Sequence, residues 1–275
     1  TEAGEVAETT APATPPRVPV RRGSRAHRLL ERNYLVYRRV WKVIFSGFFE
    51  PVFYLFSIGI GLGALIGEVT LPSGESVGYT AFVAPALLAS SAMNGAVLES
   101  TMNIFFKLKF GKVYDGMLTT PMKPMDIAVG EINWCLFRGF LYAAAFLVIA
   151  LVIGLVRGWM WILALPACVL IGFAFAACGF AATTWMKSWQ DFDMVQLVTV
   201  PLFLFSATFY PLDGYPPVLQ QITKFSPLYH GVELTRGFML SSPDPSMFGH
   251  AAFLLVMGLI GLAITRRRLE KLLLS

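Results

Sequence analysis

Six long apolar runs, separated by segments that collect most of the basic residues, constrain this chain more than any other feature. They cover residues 43–66, 79–98, 132–153, 159–185, 194–212 and 247–265. A helix of roughly 20 apolar residues crosses the hydrocarbon core of a bilayer, so each run is expected to be a membrane-spanning helix. Hydrophobic residues make up 56% of the 275 and charged residues 14%, with a mean hydropathy of +0.62. That is more apolar surface than one water-soluble core can hide. The expected fold class is an all-α polytopic membrane protein with six transmembrane helices.

Six crossings place both ends of the membrane domain on one side, and the basic residues say which side. Nine Lys and Arg residues precede Phe45, and Lys107, Lys109, Lys112, Lys123, Lys187, Arg266, Arg267, Arg268 and Lys271 fall on the same face. Only Arg157, Lys224 and Arg236 fall on the opposite face. Cytoplasmic loops carry the Lys and Arg excess, which puts the N-terminus, the C-terminus and both basic loops in the cytoplasm. The formal net charge of +5 therefore reflects topology beside anionic membrane lipids, and no nucleic-acid partner is expected.

Residues 1–24, rich in Ala, Pro, Thr, Glu and Arg, lack apolar periodicity and are expected to be a disordered cytoplasmic tail. No cleavable signal peptide is expected, because the first apolar run starts after about forty polar, Pro-rich and Arg-rich residues. Over residues 25–42, Leu30, Tyr34, Tyr37 and Trp41 recur at helical spacing beside Leu29, Val36 and Val40, while Arg25, Arg28, Arg32 and Arg39 occupy other faces. This pattern fits an amphipathic helix lying on the membrane surface; an ordinary soluble amphipathic helix has the same periodicity. Residues 43–265 form the transmembrane domain, and residues 266–275 a basic cytoplasmic end. Cys135, Cys168 and Cys178 sit inside apolar runs with no CxxC and no companion histidine, so they are read as small packing residues and no metal site is expected.

The loop at 103–131 is longer than a connection requires. It contains a short mixed stretch at 110–118, bounded by Gly111 and by Pro121 and Pro124, that reads as a small helix projecting from the bundle. It suits either a solvated loop or a docking element for a cytoplasmic partner. Two charges lie at depth. Glu50 follows Val43 by seven residues and Arg138 follows Glu131 by seven, each roughly 10 Å along its helix. Pairing between the first and third spans would offset the cost of a buried ion, at least about 2.5 kcal/mol. The alternative is an interfacial Glu50 and an Arg138 that snorkels outward. Gly59, Gly63 and Gly67 recur at four-residue spacing and favour close helix approach, inside the chain or across a dimer. Pro201 is expected to kink the fifth span.

Between the last two spans, residues 213–240 carry two apolar stripes too short to cross a bilayer. Pro216 and Pro217 suit the start of a helix whose Val218, Leu219, Ile222 and Phe225 share a stripe. Ser226 is expected to cap a second helix with Pro227 at its first position. The two are read as re-entrant helices at the outer interface, forming a lid over an exit. His230, Glu233 and Arg236 stand at successive i+3 steps. With no second histidine, no activated nucleophile and no strained Gly-rich turn nearby, neither a catalytic centre nor a metal pair is expected there. An intrahelical Glu233–Arg236 pair beside an interfacial His230 is the simpler explanation.

Several stretches resemble a known family. "LTTPMKPMDIAVGE" is similar to the Thr-Pro segment, followed by an acidic residue and Gly, of ABC-2 transporter permease subunits; "FYPLDGYPP" and "KFSPLYHGVELTRG" resemble the Pro-Leu stretches between that superfamily's last two spans. "RNYLVYRRVW", "EPVFYLFSIGIGLG" and "YDGMLTTPMKPMDIAVGE" resemble the branch of nodulation lipo-oligosaccharide exporter and drug exporter permeases. The resemblance implies a permease in the bacterial cytoplasmic membrane, paired with a second permease subunit and driven by two copies of a separate ATPase. ATP and Mg would be held by that partner, consistent with the lack of a Gly-x-x-x-x-Gly-Lys-Ser/Thr loop in this chain. The resemblance further implies that Lys109, Gly111, Tyr114, Asp115, Gly116 and Met117 lie on or near the coupling helix. From the outward location of their segment, and not from the resemblance, Phe209, Tyr210, Pro211, His230, Glu233 and Arg236 are expected at the outer gate. The implied cargo is amphipathic: a lipid-linked glycan, a lipo-oligosaccharide or a hydrophobic drug. An ion-coupled secondary transporter and a membrane-embedded transferase are the competing classes.

Overall fold

The computed structural model describes residues 25–39, 49, 51–71 and 74–274. Helices α1 (Arg25–Arg39) and α2 (Pro51–Ile66) come first. A small antiparallel hairpin of β1 (Glu68–Thr70) and β2 (Ser76–Gly78) follows, in the register Val69 opposite Val77. Then come α3 (Tyr79–Phe110), the short α4 (Val113–Leu118), α5 (Pro124–Val152) and α6 (Met160–Thr183). The chain closes with α7 (Asp191–Leu204), α8 (Pro217–Phe225), α9 (Pro227–Met239) and α10 (Ser246–Leu274). The hairpin amends the all-α expectation. It forms because Gly67 leaves α2 at a φ of +75°, and because Val77 and Leu71 are buried where they follow.

Among the described residues four helices are long and apolar enough to cross a membrane: α3, α5, α6 and α10. Part of the expected first span lies outside the described residues, and its described portion, α2, is short. The expected fifth span becomes α7, with 14 residues, for a local reason. Pro201 supplies no amide hydrogen and crowds the preceding turn. The helix ends three residues later, where Phe205 N–H donates to the Pro201 carbonyl and the Thr208 hydroxyl folds back on the Phe203 carbonyl at 2.8 Å. The chain then reverses through Ala207, held at a left-handed φ of +55°.

The long helices divide into centre and periphery. Two-thirds of the apolar stretch of α3 (67%) and over half of that of α6 (56%) are buried inside the protein, against 28% for α5 and 22% for α10. The main core is built where α3 and α6 meet α5, α9 and α10, around Phe82, Leu88, Met93, Phe146, Ile171 and Leu228. Helix α2 packs on α3 through its glycines. A Cβ on Gly59 would stand 2.7 Å from Thr80 Cγ2 and one on Gly63 2.8 Å from Thr80 Oγ1. That close approach lets the Thr80 hydroxyl donate to the Gly59 carbonyl at 2.5 Å. The glycine spacing thus serves packing within the chain at these two positions.

The segment expected as a loop at 103–131 is mostly helix. α3 continues to Phe110 through two π-helical turns, Glu99–Asn103 and Phe106–Phe110, and α5 starts at Pro124. Pro124 occupies the first helical position, and the Asp126 carboxylate accepts the Lys123 N–H at 2.9 Å, closing the start of α5. Only α4 and its flanking turns project.

Candidate functional site

The residues that join the projecting α4 to the bundle come from four helices. The Glu131 carboxylate on α5, 1% exposed, accepts hydrogen bonds from Lys107 Nζ of α3 at 2.7 Å, Tyr114 Oη of α4 at 3.2 Å and Asn33 Nδ2 of α1 at 3.2 Å. A buried carboxylate with one cation and two neutral donors is a satisfied ion, and it fixes the four elements relative to each other. Burial, and then the neighbouring carboxylate, hold the Tyr114 phenol pKa well above its ordinary value, so it stays a donor. Around this polar knot lies an apolar core to which nearly every helix at this end contributes: Leu29 of α1, Ile104 of α3, Ile127 of α5, Phe180 of α6 and Leu269 of α10.

Helix α4 is set by its ends. Lys112 precedes it at a left-handed φ of +42°, strained for a residue with a side chain, and turns the chain back after Gly111. At the other end the hydroxyls of Thr119 and Thr120 donate to the carbonyls of Gly116 and Met117 at 2.8 and 2.6 Å, satisfying groups the helix leaves open. The six residues expected at the coupling element therefore split. Lys109, Gly111, Asp115 and Gly116 are exposed, and Met117 is half-buried. Tyr114 points inward to Glu131 and is the anchor of α4, so it presents no surface to a groove on another protein.

Two turns along α5 from Glu131, Arg138 forms an ion pair with Glu99 of α3 and donates to Tyr142 Oη at 2.9 Å. Glu50, its expected partner, lies outside the described residues. The two pairs form a ladder of reversed polarity: α3 offers Glu99 and Lys107, and antiparallel α5 answers with Arg138 and Glu131. Both α3 members sit in the π-helical turns. Sliding one helix by two turns would set like charges opposite each other, so the ladder fixes register. The Arg138–Glu99 pair forms part of the wall of a cavity of 390 Å³ enclosed by α2, α3, α5 and α7. Asn94, Gln196 and Thr199 give it polar groups; Tyr54, Phe192 and Phe203 give it aromatic faces.

At the far end, α8 and α9 form as two short helices. Ser226 stands between them at the N-cap position, but its hydroxyl bonds Ser206 Oγ at 2.5 Å instead of the helix amides, tying the α8–α9 corner to the end of α7. Arg236 is almost fully buried. It pairs with Glu233 at 2.8 Å, donates to the Ala207 carbonyl at 2.8 Å and lies 4.1 Å over the Phe82 ring of α3. Of the other expected gate residues, Phe209 packs edge-on against Phe203, Tyr210 stands exposed beside Tyr215, and Pro211 is half-buried.

His230 turns the other way, toward α10. It stacks on Phe253 with ring centroids 4.0 Å apart, and its Nδ1 lies 2.6 Å from Nδ1 of His250. The expectation of no second histidine nearby is therefore corrected: His250 arrives from the next helix, twenty residues on. Burial first and His250 second pull the His230 pKa down to about 4, and a hydrogen bond to the Lys224 backbone opposes them. Among the described residues no group of three His, Cys, Asp or Glu side chains is placed to hold a metal ion.

Sequence reasoning found α4, Glu233–Arg236 and the two short helices, and missed Glu131 and Glu99. Both acids stand at run boundaries, where they pass for loop residues. The signal was present in the spacing: eight residues from Glu99 to Lys107 on one helix, seven from Glu131 to Arg138 on an antiparallel neighbour, with charges that match crosswise.

Comparison with known proteins agrees with this architecture. Residues 26–240 match the family model described as ABC-2 type transporter. The chain is similar to Nodulation protein J of Rhizobium leguminosarum bv. viciae, 33% identical over 246 residues that cover 87% of this chain and 93% of that protein. It is similar also to Nodulation protein J of Rhizobium leguminosarum bv. trifolii, at 32% over 86% of this chain and 91% of the relative. With Nodulation protein J of Rhizobium meliloti (strain 1021) the identity is 30%, over 86% of this chain and 91% of the relative.

Proposed function

This chain belongs to the ABC-2 type transporter family, and from that premise we propose that it is the membrane subunit of an ATP-driven exporter, working with a second permease subunit and a separate ATPase. The observation that carries the proposal is the way α4 is held. Its inner side is pinned through Tyr114 to Glu131, while Lys109, Gly111, Asp115 and Gly116 are turned outward as a surface for a partner. A push on that surface reaches α1, α3 and α5 through one carboxylate, and α6 and α10 through the core around it. Packed helices respond to such a push by shifting between discrete arrangements.

In this scheme ATP binding at the partner moves α4, and the Glu131 knot converts that movement into a tilt of α5 against α3. The Arg138–Glu99 cavity offers charge and hydrogen bonds beside aromatic faces, which suits a cargo with a polar head and an apolar body. A lipo-oligosaccharide or lipid-linked glycan is the cargo class that the family likeness favours, with a hydrophobic drug as the other candidate. The chain's residues would bind and gate, and break no bonds. The termini and α4 would face the cytoplasm, and α8 and α9 would lie over the exit.

The ion-coupled alternative gains one observation, the two buried acids Glu99 and Glu131. Both are engaged by cations, which favours a structural pair over a titrating carrier. Purifying the tagged chain from its native membrane tests the proposal. A soluble nucleotide-binding subunit should be retained, and Asp115→Arg with Gly116→Trp should release it while the permease stays folded. Retention that ignores those changes, or no such subunit at all, would overturn it. Deleting residues 216–225 should impair export and leave the ATPase bound.

A further inference from the structure

On the outer side of α6 and α10 the two helices leave a groove of 770 Å³. Ala182 and Trp185 line it on one side, and Gly249, Phe253, Val256 and Ile260 on the other. Its lining along α10 runs from Gly249 to Ile264, a length of about 22 Å. The hydrocarbon core is about 30 Å thick, so a groove of this length takes an extended acyl chain entering from one leaflet. Apolar lining alone would admit any lipid. The chemistry at one end is selective.

There the Arg268 guanidinium lies 4.8 Å over the ring of Trp185, and its buried Nε has no hydrogen-bond partner among the described residues. Lys187 and Arg267 are exposed close by in sequence. The neighbouring acids are engaged: Glu270 pairs with Arg266 at 3.1 Å, and Asp191 accepts the backbone N–H groups of Lys187 and Ser188 at 2.6 and 3.1 Å. The mouth is therefore cationic, with an indole at its edge, the arrangement that holds an acidic headgroup at the membrane boundary. A guanidinium stacked on an aromatic ring keeps its fork of N–H donors in a fixed plane, matched to phosphate oxygens.

We infer that α6 and α10 form a binding site for an anionic glycerophospholipid, with an acyl chain in the groove and the phosphate at Arg268. This rests on α6 and α10 being membrane spans and is independent of cargo and energy source. The groove shares no lining residue with the cavity beside Arg138. Its consequence for the machine is direct. Leu269, next to Arg268, belongs to the apolar core that also includes Tyr114, so a bound lipid steadies the end of α10 in that core.

The test uses the full chain in phosphatidylcholine bilayers containing a minor fraction of either dibrominated phosphatidylglycerol or dibrominated phosphatidylcholine. Quenching assigned to Trp185 is obtained by subtracting the Trp185→Phe variant. The expected result is about fivefold stronger quenching by the anionic lipid at equal mole fraction, the preference that one basic residue gives at an anionic surface. Arg268→Gln should abolish the preference, Arg268→Lys should keep only part of it because the ammonium retains the charge and loses the fork, and Arg157→Gln, on the opposite face, should leave it unchanged. Ala182→Phe, which fills the groove independently of Arg268, should lower Trp185 quenching by both lipids. Equal quenching by the two lipids in the unaltered chain, or a preference that survives Arg268→Gln, would overturn the site. So would a Trp185 that neither lipid quenches, because another protein surface would then cover the groove.

Discussion

Replacing Glu131 by Gln should uncouple α4 from the bundle while leaving the bundle folded. The amide keeps the shape of the carboxylate and still accepts from Tyr114, but it removes the charge that compensates Lys107 at 2.7 Å. Stripping one partner from a buried ion pair costs about 3–5 kcal/mol. Lys107 retains 13% exposure, so the lower figure, about 3 kcal/mol, applies. If that energy bears on the docking of α4, the docked population relative to the open one falls about a hundredfold. Amide hydrogen exchange over residues 111–123, measured on the reconstituted chain, should therefore lose about two orders of magnitude of protection while the centre of α6 stays protected. Adding Lys107→Met removes the orphaned cation and should return protection to within about tenfold of the original. Losses that simply add in the double variant, or an α4 as well protected in the Glu131→Gln variant as in the unaltered chain, would refute the idea that Glu131 transmits through charge.

Other perturbations follow from the same structure. Arg138→Met leaves Glu99 buried without this cation and should destabilise the chain by about 3 kcal/mol, with Glu99→Gln recovering most of it in the double variant by thermal denaturation in detergent. Gly59→Ala should cost about 1–3 kcal/mol by overpacking against Thr80, and Thr80→Ala should relieve it, because the crowding atom is the Thr80 methyl. The depressed His230 pKa means that the unfolded chain binds the proton more readily than the folded one. The stability it contributes is full above pH about 6.5 and is lost as pH falls toward about 4. Exchange over residues 217–239 should rise through that window, with Tyr229 and Glu233 of α9, Asp244 of the connection after it and His250 of α10 left unsubstituted, and His230→Gln should flatten the change.

The periodic features of the chain were legible in its sequence. Spanning helices α3, α5, α6 and α10, the short α8 and α9 with Pro217 and Pro227 at their starts, and the Glu233–Arg236 pair all follow from local pattern. What escaped depends on partners distant in sequence. His250 reaches His230 only because α9 packs on α10, and Ser226 forgoes its capping role because Ser206 is delivered by the reversal at Ala207. Tyr114 resembles a surface residue of a docking helix until the depth of Glu131 is known. The π-helical turns that aim Glu99 and Lys107 at α5 have no simple signature in residue type. The short α7 is a case of Pro201 doing more than kinking: with Phe203, Ser206 and Thr208 available for local bonds, the helix stops.

The energy source is the most direct test of how this membrane subunit works. In proteoliposomes holding the permease, the ATPase proposed to drive it and a fluorescent lipo-oligosaccharide as the proposed cargo, movement across the bilayer is followed with ATP alone and with an ion gradient alone. ATP should drive movement that a protonophore leaves intact, and Glu131→Gln should slow transport more than it slows ATP hydrolysis. Transport that runs on the gradient without ATP would contradict the proposed function.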